Sequence, residues 1–237
     1  KQSLEALGYT KQAEKLRHVS YGVVSLSPSA AAELGIDTSD GKASYAMSGR
    51  QGIGIKISDL LDRMENVIEQ KRSDHTGLAS RDIAAASIRY YLLRFNLQTE
   101  VVFDIKQATE TTGNTGVYLM YAHARAASLL HKAEQQWSDV PEIPEEFPPL
   151  ETSEYALLRH MANWPDTLYT AAKELAPNLV CNYAHELATL FNNFYVACPI
   201  LKADDPIRKF RIWLVSRYRQ TLGDALEVLG LPAPERM

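Results

Sequence analysis

Apolar residues recur roughly every three to four positions along most of the chain, the period of a helix that buries one face. Before residue 110 the pattern predicts a short helix, a turn at Gly8 and another helix within residues 1–18. It then predicts helices over Asp59–Glu69 and Ser80–Leu93, the last capped by Ser80. β-Branched and apolar residues predict a buried strand at Val19–Leu26 and a short strand at Val101–Asp104. We expect residues 27–44, rich in Ser, Ala, Gly and Asp, to form a loop.

The helical pattern continues from residue 152 almost to the end. Thr152 or Ser153, Asp166 and Pro177 predict the starts of three helices, and a fourth runs from Asp205-Pro206 to a stop at Gly230. The apolar stripe of this last helix consists of Ile207, Phe210, Leu214, Tyr218, Leu222, Ala225, Leu226 and Leu229. Stripes of this kind predict a packed helical bundle.

A further helix over Tyr118–Lys132 organises the chain, with Thr115 as its predicted N-cap. Its many alanines let neighbouring helices approach closely. At about 100° per residue it places one polar stripe on a narrow face, formed by Tyr118, Tyr121, Arg125, Ser128 and Lys132. Phenols and cations so arranged can stack on bases and contact phosphates. In the other interpretation, the two tyrosines are half-buried core residues and the charged residues form a solvated edge of the helix.

Composition limits the function classes. The formal charge of −4 gives no general support for nucleic-acid binding, so such a role requires a local basic patch. Two cysteines, Cys181 and Cys198, indicate neither a disulfide framework nor a thiolate metal site, which favours a reducing cytoplasm. No apolar run is long enough to span a membrane. The acids and prolines of residues 138–150 predict a solvated, extended linker rather than a metal site.

The segment Tyr45–Lys56 is a glycine-rich, basic loop. Exposed amides beside Arg50 and Lys56 can hold a phosphate, although an ordinary turn has the same composition. Its glycines fit neither a dinucleotide-binding fingerprint nor a Walker A loop. The residues alone therefore leave its function open.

Four segments resemble the arginyl-tRNA synthetase family. Gly113–Arg125, read Gly-Asn-Thr-Gly-Val-Tyr-Leu-Met-Tyr-Ala-His-Ala-Arg, is similar to the segment that opens the family's anticodon-binding domain, with Val117 in place of a proline. Phe191–Leu201 is similar to the family's Phe-x-x-Phe-Tyr-x-x-Cys-Pro-Val-Leu. Asp224–Leu226 keeps most of an Asp-Ala-Leu-Arg signature, with Glu227 replacing the arginine, and Leu229–Met237 resembles the family's carboxyl terminus. We therefore expect that end to be complete.

The resemblance also implies an identity for the glycine-rich loop. Met47, Ser48, Gly49 and Arg50 are similar to the Lys-Met-Ser-Lys-type loop that closes over ATP pyrophosphate, and the resemblance makes these four the catalytic candidates. Ala46 stands where the motif's first lysine would be, which puts that lysine's role in doubt. The His-Ile-Gly-His signature of class I synthetases does not occur in the sequence, so the chain alone is predicted to be inactive.

The resemblance thus predicts a mostly α fold, in which a small α/β remnant of a class I Rossmann catalytic core over residues 1–110 precedes a helical-bundle anticodon-binding domain over 111–237. It implies the C-terminal part of an arginine–tRNA ligase whose full-length form uses arginine and ATP with Mg²⁺. This chain alone is expected to bind tRNA and no cofactor, metal, DNA or membrane. The expected tRNA contacts are Tyr118, Tyr121, Arg125, Arg208, Arg211 and Met237.

One alternative stays open at this point, and a second is discounted. A non-catalytic RNA-binding paralogue that kept the bundle is favoured by Ala46 and Glu227. A cysteinyl-tRNA synthetase shares the bundle type but requires zinc-ligand cysteines, and Cys181 and Cys198 lie in helical core patterns instead.

Overall fold

A computed structural model describes residues 1–46, 56–72, 75–137 and 148–237 of the chain. The helices in these ranges are α1 (Gln2–Ala6), α2 (Thr10–Lys15), α3 (Pro28–Glu33), α4 (Ile57–Lys71), α5 (Ser80–Leu93), α6 (Ile105–Ala108), α7 (Gly116–Gln136), α8 (Thr152–Ala162), α9 (Trp164–Glu174), α10 (Pro177–Ala197) and α11 (Ile207–Val228). The strands are β1 (Val24–Leu26), β2 (Tyr45–Ala46) and β3 (Val101–Phe103). The predicted class, mostly α with a small α/β part, is confirmed.

The three strands form one small mixed sheet in the order β2-β1-β3. β1 pairs antiparallel with β2 through Leu26 and Tyr45, and parallel with β3 through Leu26 and Phe103. The Tyr91 ring of α5 packs edge-on against Phe103, with 4.8 Å between ring centroids. This contact joins the sheet to the helices that follow it.

Two predictions about the amino-terminal region are wrong. The strand predicted over Val19–Leu26 is confined to Val24–Leu26, and the apolar side chains of Val19, Tyr21 and Val23 are exposed. The predicted loop contains α3, because the Ser27 hydroxyl caps it by accepting from the Ala30 N–H and Pro28 occupies its first turn. A short helix with good capping thus formed where composition alone suggested a loop.

The second half is a bundle in which α10 packs against α7, α8, α9 and α11, and α7 packs against α5 and α11. Its centre is aromatic: the ring of Phe191 on α10 stacks on that of Tyr218 on α11, with centroids 3.9 Å apart. The predicted core stripe of α11 is buried from Phe210 to Leu229, whereas Ile207 at its start is exposed. The predicted bundle is therefore confirmed.

Predicted helix caps agree less well with the structure. Thr115 caps α7 as predicted, by accepting from the Tyr118 N–H. Ser80 does not cap α5 but donates to the Glu69 carboxylate instead. The N-cap of α8 is Glu151, and Asp166 lies in the first turn of α9 rather than at its cap. Several side chains near a helix start are able to cap it, so composition does not select among them.

Candidate functional site

The polar stripe of α7 lies where this helix meets α10. Tyr121 leaves 46% of its surface exposed, while Tyr118 and Arg125 are half-buried. As far as Leu129, the residues on the other sides of α7, including Leu119, Met120 and the alanines, are buried against neighbouring helices, whereas His131 and Glu134 in its last turns are exposed. The stripe is thus the face of a firmly packed helix that remains available to a ligand.

A hydrogen-bond network ties this stripe to α10. Nη1 of Arg125 donates to Oδ1 of Asn192 across 2.6 Å. Nδ2 of the same amide donates to the Tyr118 hydroxyl, also across 2.6 Å. Nη2 of Arg125 donates to the Tyr121 hydroxyl across 3.2 Å. One guanidinium and two phenols of α7 are thereby held in a fixed arrangement.

The guanidinium of Arg125 also lies against two aromatic rings. Its Cζ atom is 4.7 Å from the ring centroid of Tyr121 and 5.5 Å from that of Tyr195 on α10. Tyr195 is 43% exposed, so both rings have surface left over. A cation between two accessible aromatic faces is suited to a base that stacks and a phosphate that pairs with the charge.

Tyr195 and Asn192 are absent from the predicted contacts, although both lie in the family-like segment Phe191–Leu201. Tyr195 follows the buried Phe194 and lies four residues after the buried Phe191. It therefore belongs to a helix position just off the core face. This spacing relative to the apolar stripe of α10 is the one feature of the sequence that predicts a partly exposed ring at Tyr195.

Tyr121, Arg125 and Tyr195 line a groove of about 1020 Å³. The charged residues among its described lining are all basic: Arg125, Lys132, Lys202 and Arg236. Its far wall is apolar and includes Val196, Pro199 and Ile200. Although the chain as a whole is acidic, the groove supplies the local basic patch that nucleic-acid binding requires.

Met237 and Tyr121 separate this groove from a smaller cleft of about 260 Å³, because both residues line both cavities. Two contacts fix the position of the segment that leads to Met237. His123 Nδ1 donates to the Pro234 carbonyl across 2.9 Å, and the backbone at Arg236 passes closely over Gly77. The structure thus brings Tyr121, Arg125 and Met237, three of the predicted tRNA contacts, to one groove.

The other three predicted contacts, Tyr118, Arg208 and Arg211, do not line this groove. The Tyr118 hydroxyl accepts from Asn192 where α7 meets α10. Arg208 pairs with Asp205 across 2.8 Å and lies 4.5 Å from the Trp137 ring centroid. Arg211 is buried in an ion pair with Glu154 and donates to the Pro199 carbonyl. Both guanidinium groups are engaged within the protein, so they do not belong to the basic surface of the groove.

The predicted catalytic residues Met47, Ser48, Gly49 and Arg50 lie outside the described residues. Most of the predicted acidic linker, residues 138–147, lies outside them as well. Within the described ranges, no three or more His, Cys, Asp or Glu side chains are grouped to hold a metal ion. Among the helices of those ranges, none has both the length and the apolar character needed to cross a membrane.

The part of the chain that forms this groove is similar to known proteins. The family model of the DALR anticodon binding domain matches residues 119–237, which include Tyr121, Arg125 and Met237. The chain is 33% identical over 252 aligned positions to the arginine–tRNA ligase of Thermococcus kodakarensis, covering 100% of this chain and 37% of the relative. It is 31% identical to that of Thermus thermophilus, covering 99% of this chain and 38% of the relative.

Solved structures give the same result. Thermus thermophilus arginyl-tRNA synthetase superimposes with a TM-score of 0.77 at 30% identity, over 99% of this chain and 38% of that one. The Plasmodium falciparum enzyme gives 0.61 at 26% identity, over 76% of this chain and 31% of that one. The resemblance to arginyl-tRNA synthetases is thus confirmed, and the chain spans less than two fifths of the length of these relatives. The predicted boundary between residues 1–110 and 111–237 stays a prediction.

Proposed function

Because the chain belongs to the DALR anticodon binding domain family, we propose that its basic groove binds the anticodon arm of a tRNA. The observation that carries this proposal is the position of Arg125 between the half-exposed rings of Tyr121 and Tyr195. Unpaired loop bases can stack on such rings, and the neighbouring phosphates can pair with the guanidinium.

The charge distribution supports the same proposal. Lys132, Lys202 and Arg236 line the groove together with Arg125, so a phosphate backbone that enters meets cations on several sides. Association with tRNA should then release counterions and weaken steeply as salt rises.

We propose that the tRNA is the arginine acceptor, because the matched relatives are arginine–tRNA ligases. In this proposal the chain acts within a longer protein that joins arginine to this tRNA with ATP and Mg²⁺, and Met47, Ser48, Gly49 and Arg50 contribute the ATP-side loop. The chain by itself is proposed to bind tRNA without activating arginine.

A non-catalytic RNA-binding paralogue is the second candidate, and Ala46 and Glu227 are the departures that favour it. In the Asp224–Glu227 segment Ala225 and Leu226 are buried, whereas Glu227 is exposed. The substitution therefore leaves the packing of α11 intact and bears on surface chemistry alone. An in-frame upstream sequence encoding His-Ile-Gly-His would eliminate this candidate.

The proposal is tested by titrating the chain with arginine tRNA and with an unrelated tRNA at physiological salt, and then repeating both titrations at higher salt. We expect preferential binding of the arginine tRNA and a steep loss of affinity with salt. Equal affinity for both tRNAs would overturn the assignment to the arginine acceptor. Affinity that does not change with salt would overturn the proposed use of the basic groove.

A further inference from the structure

We propose that Asn192 is a positioning residue, which fixes the Arg125 guanidinium between the rings of Tyr121 and Tyr195 before RNA arrives. This inference rests on the proposed function and deepens it. The juxtaposition that carries it is a single amide on α10 that bridges two residues of α7, accepting from Arg125 and donating to Tyr118, each across 2.6 Å.

The orientation of this amide is determined by its two neighbours. A guanidinium has donors only, so the carbonyl oxygen of Asn192 must face Arg125 and the NH₂ group must face Tyr118. Rotating the amide by half a turn would place donors against donors on the Arg125 side. The Tyr118 hydroxyl accepts from the NH₂ group and therefore keeps the oxygen aimed at the guanidinium.

The backbone that carries Asn192 is held firmly. Its neighbour Phe191 is fully buried and stacks on Tyr218, and Phe194 on the same helix is fully buried too. The side chain of Asn192 therefore projects from a fixed point toward α7. Because the Arg125 side chain is hydrogen-bonded to this fixed amide, it samples fewer conformations than a free surface arginine.

This restriction has a consequence for binding. Ordering a long side chain opposes association, so a guanidinium that is already ordered in the free protein binds a phosphate or base with less entropic loss. The amide is neutral, so it orders Arg125 without cancelling the positive charge that attracts RNA. A carboxylate in its place would order the arginine and neutralise it.

The adjacent Asn193 provides a matched control. It is the same residue type on the same helix, but it is exposed and lines a different cavity, together with Ser153 and Ala156. We compare Asn192→Leu with Asn193→Leu in titrations of the full chain with an arginine tRNA transcript. Asn192→Leu should weaken binding roughly 10- to 150-fold, the effect of losing a hydrogen bond to a charged group, and Asn193→Leu should leave it unchanged.

Two readouts separate positioning from a general structural role. In an Arg125→Ala background, Asn192→Leu should have no further effect on affinity, because its effect passes through Arg125. In the free protein, the side-chain NMR signals of Arg125 should show restricted rotation in the wild type and fast rotation in Asn192→Leu. A merely structural residue would weaken binding equally in both backgrounds and leave these signals unchanged.

The outcomes also separate this inference from the proposed function. If the wild type binds tRNA and Asn192→Leu binds equally well, the inference is overturned and the proposed function stands. If the wild type binds no tRNA, the proposed function fails and the NMR comparison still decides whether Asn192 orders Arg125. If Asn192→Leu does not fold, Tyr118→Phe replaces it. We expect this variant to lose roughly two- to threefold in affinity for tRNA and to show the same increase in Arg125 side-chain rotation. Unchanged rotation would overturn the inference.

Discussion

Arg211 and Glu154 form an ion pair inside the bundle, with 2.6 Å between Nε and Oε1 and only 8% and 1% of the two side chains exposed. Arg211 also donates to the Pro199 carbonyl across 2.9 Å, in the turn that forms one wall of the groove. We predict that Arg211→Met lowers the free energy of unfolding by about 3–5 kcal/mol, because it leaves the Glu154 carboxylate buried and uncompensated. Urea denaturation measures this change.

An exposed ion pair provides the control for that measurement. Arg81 contacts Asp62 and Glu65 at 2.7 and 2.8 Å, but half of its side chain is exposed. Arg81→Met should therefore leave stability nearly unchanged, since water solvates the carboxylates that remain. Comparable losses in the two variants would show that burial does not set the contribution of the Arg211 pair.

Tyr121→Ala should weaken tRNA binding without unfolding the protein. Stacking of one base on an aromatic ring contributes about 1–3 kcal/mol, which corresponds to a loss of affinity of roughly five- to 150-fold. The ring is nearly half exposed, so its removal costs little packing. Tyr169 on α9 is 68% exposed and does not line the groove, which makes Tyr169→Ala the control in both the binding and the thermal unfolding measurements. A collapsed fold, or affinity equal to that of the control, would contradict the role given to Tyr121.

Features of this protein that depend on one short segment can be predicted from the sequence, whereas contacts between distant residues cannot. The bounds of α5 were predicted to the residue because apolar spacing and the flanking breaks are properties of that segment alone. The pairing of Arg125 with Asn192 spans 67 positions, and that of Arg211 with Glu154 spans 57. No periodicity encodes which polar residues meet across such distances. The same limit explains why Arg211 looked like a surface arginine from the sequence.

Gly77→Ala should displace the segment that carries Met237. Gly77 has a φ of +90°, and an added Cβ would lie 2.5 Å from the Arg236 carbonyl oxygen, so the backbone at Arg236 has to move. We expect weaker tRNA binding together with a loss of stability, because Met237 lines the groove beside Tyr121. Equilibrium binding and urea denaturation of the same variant measure the two effects.

The variant Gly35→Ala is a control that separates the effect of the close contact at Gly77 from the effect of backbone strain. Gly35 has a φ of +80°, similar to that of Gly77, but nothing lies within 4 Å of an added Cβ. Both variants should therefore lose stability through the left-handed backbone, about 1 kcal/mol or more, and only Gly77→Ala should lose affinity for tRNA. Equal affinity of the two variants would show that the position of Met237 does not affect binding.

His123 should make stability depend on pH in the mildly acidic range. Burial lowers the pKa of its imidazole below the ordinary value, against the opposing effect of the Pro234 carbonyl, and the nearby Arg219 lowers it further. The unfolded chain then takes up a proton at this residue at a higher pH than the folded chain does. The stability linked to neutral His123 is complete above a pH of about 6.5 and falls as the pH drops from there through the lower folded-state pKa.

The variant His123→Asn isolates this contribution, because an amide can donate to the Pro234 carbonyl and does not titrate. His185 behaves in the same direction, since burial lowers its pKa as well, so the wild type and the variant will both lose stability in acid. The loss in the wild type should nevertheless be larger, as measured by the free energy of unfolding at pH values of about 7.5 and about 5. Parallel pH profiles for the two proteins would mean that His123 is protonated equally in the folded and unfolded chains, which would contradict this prediction.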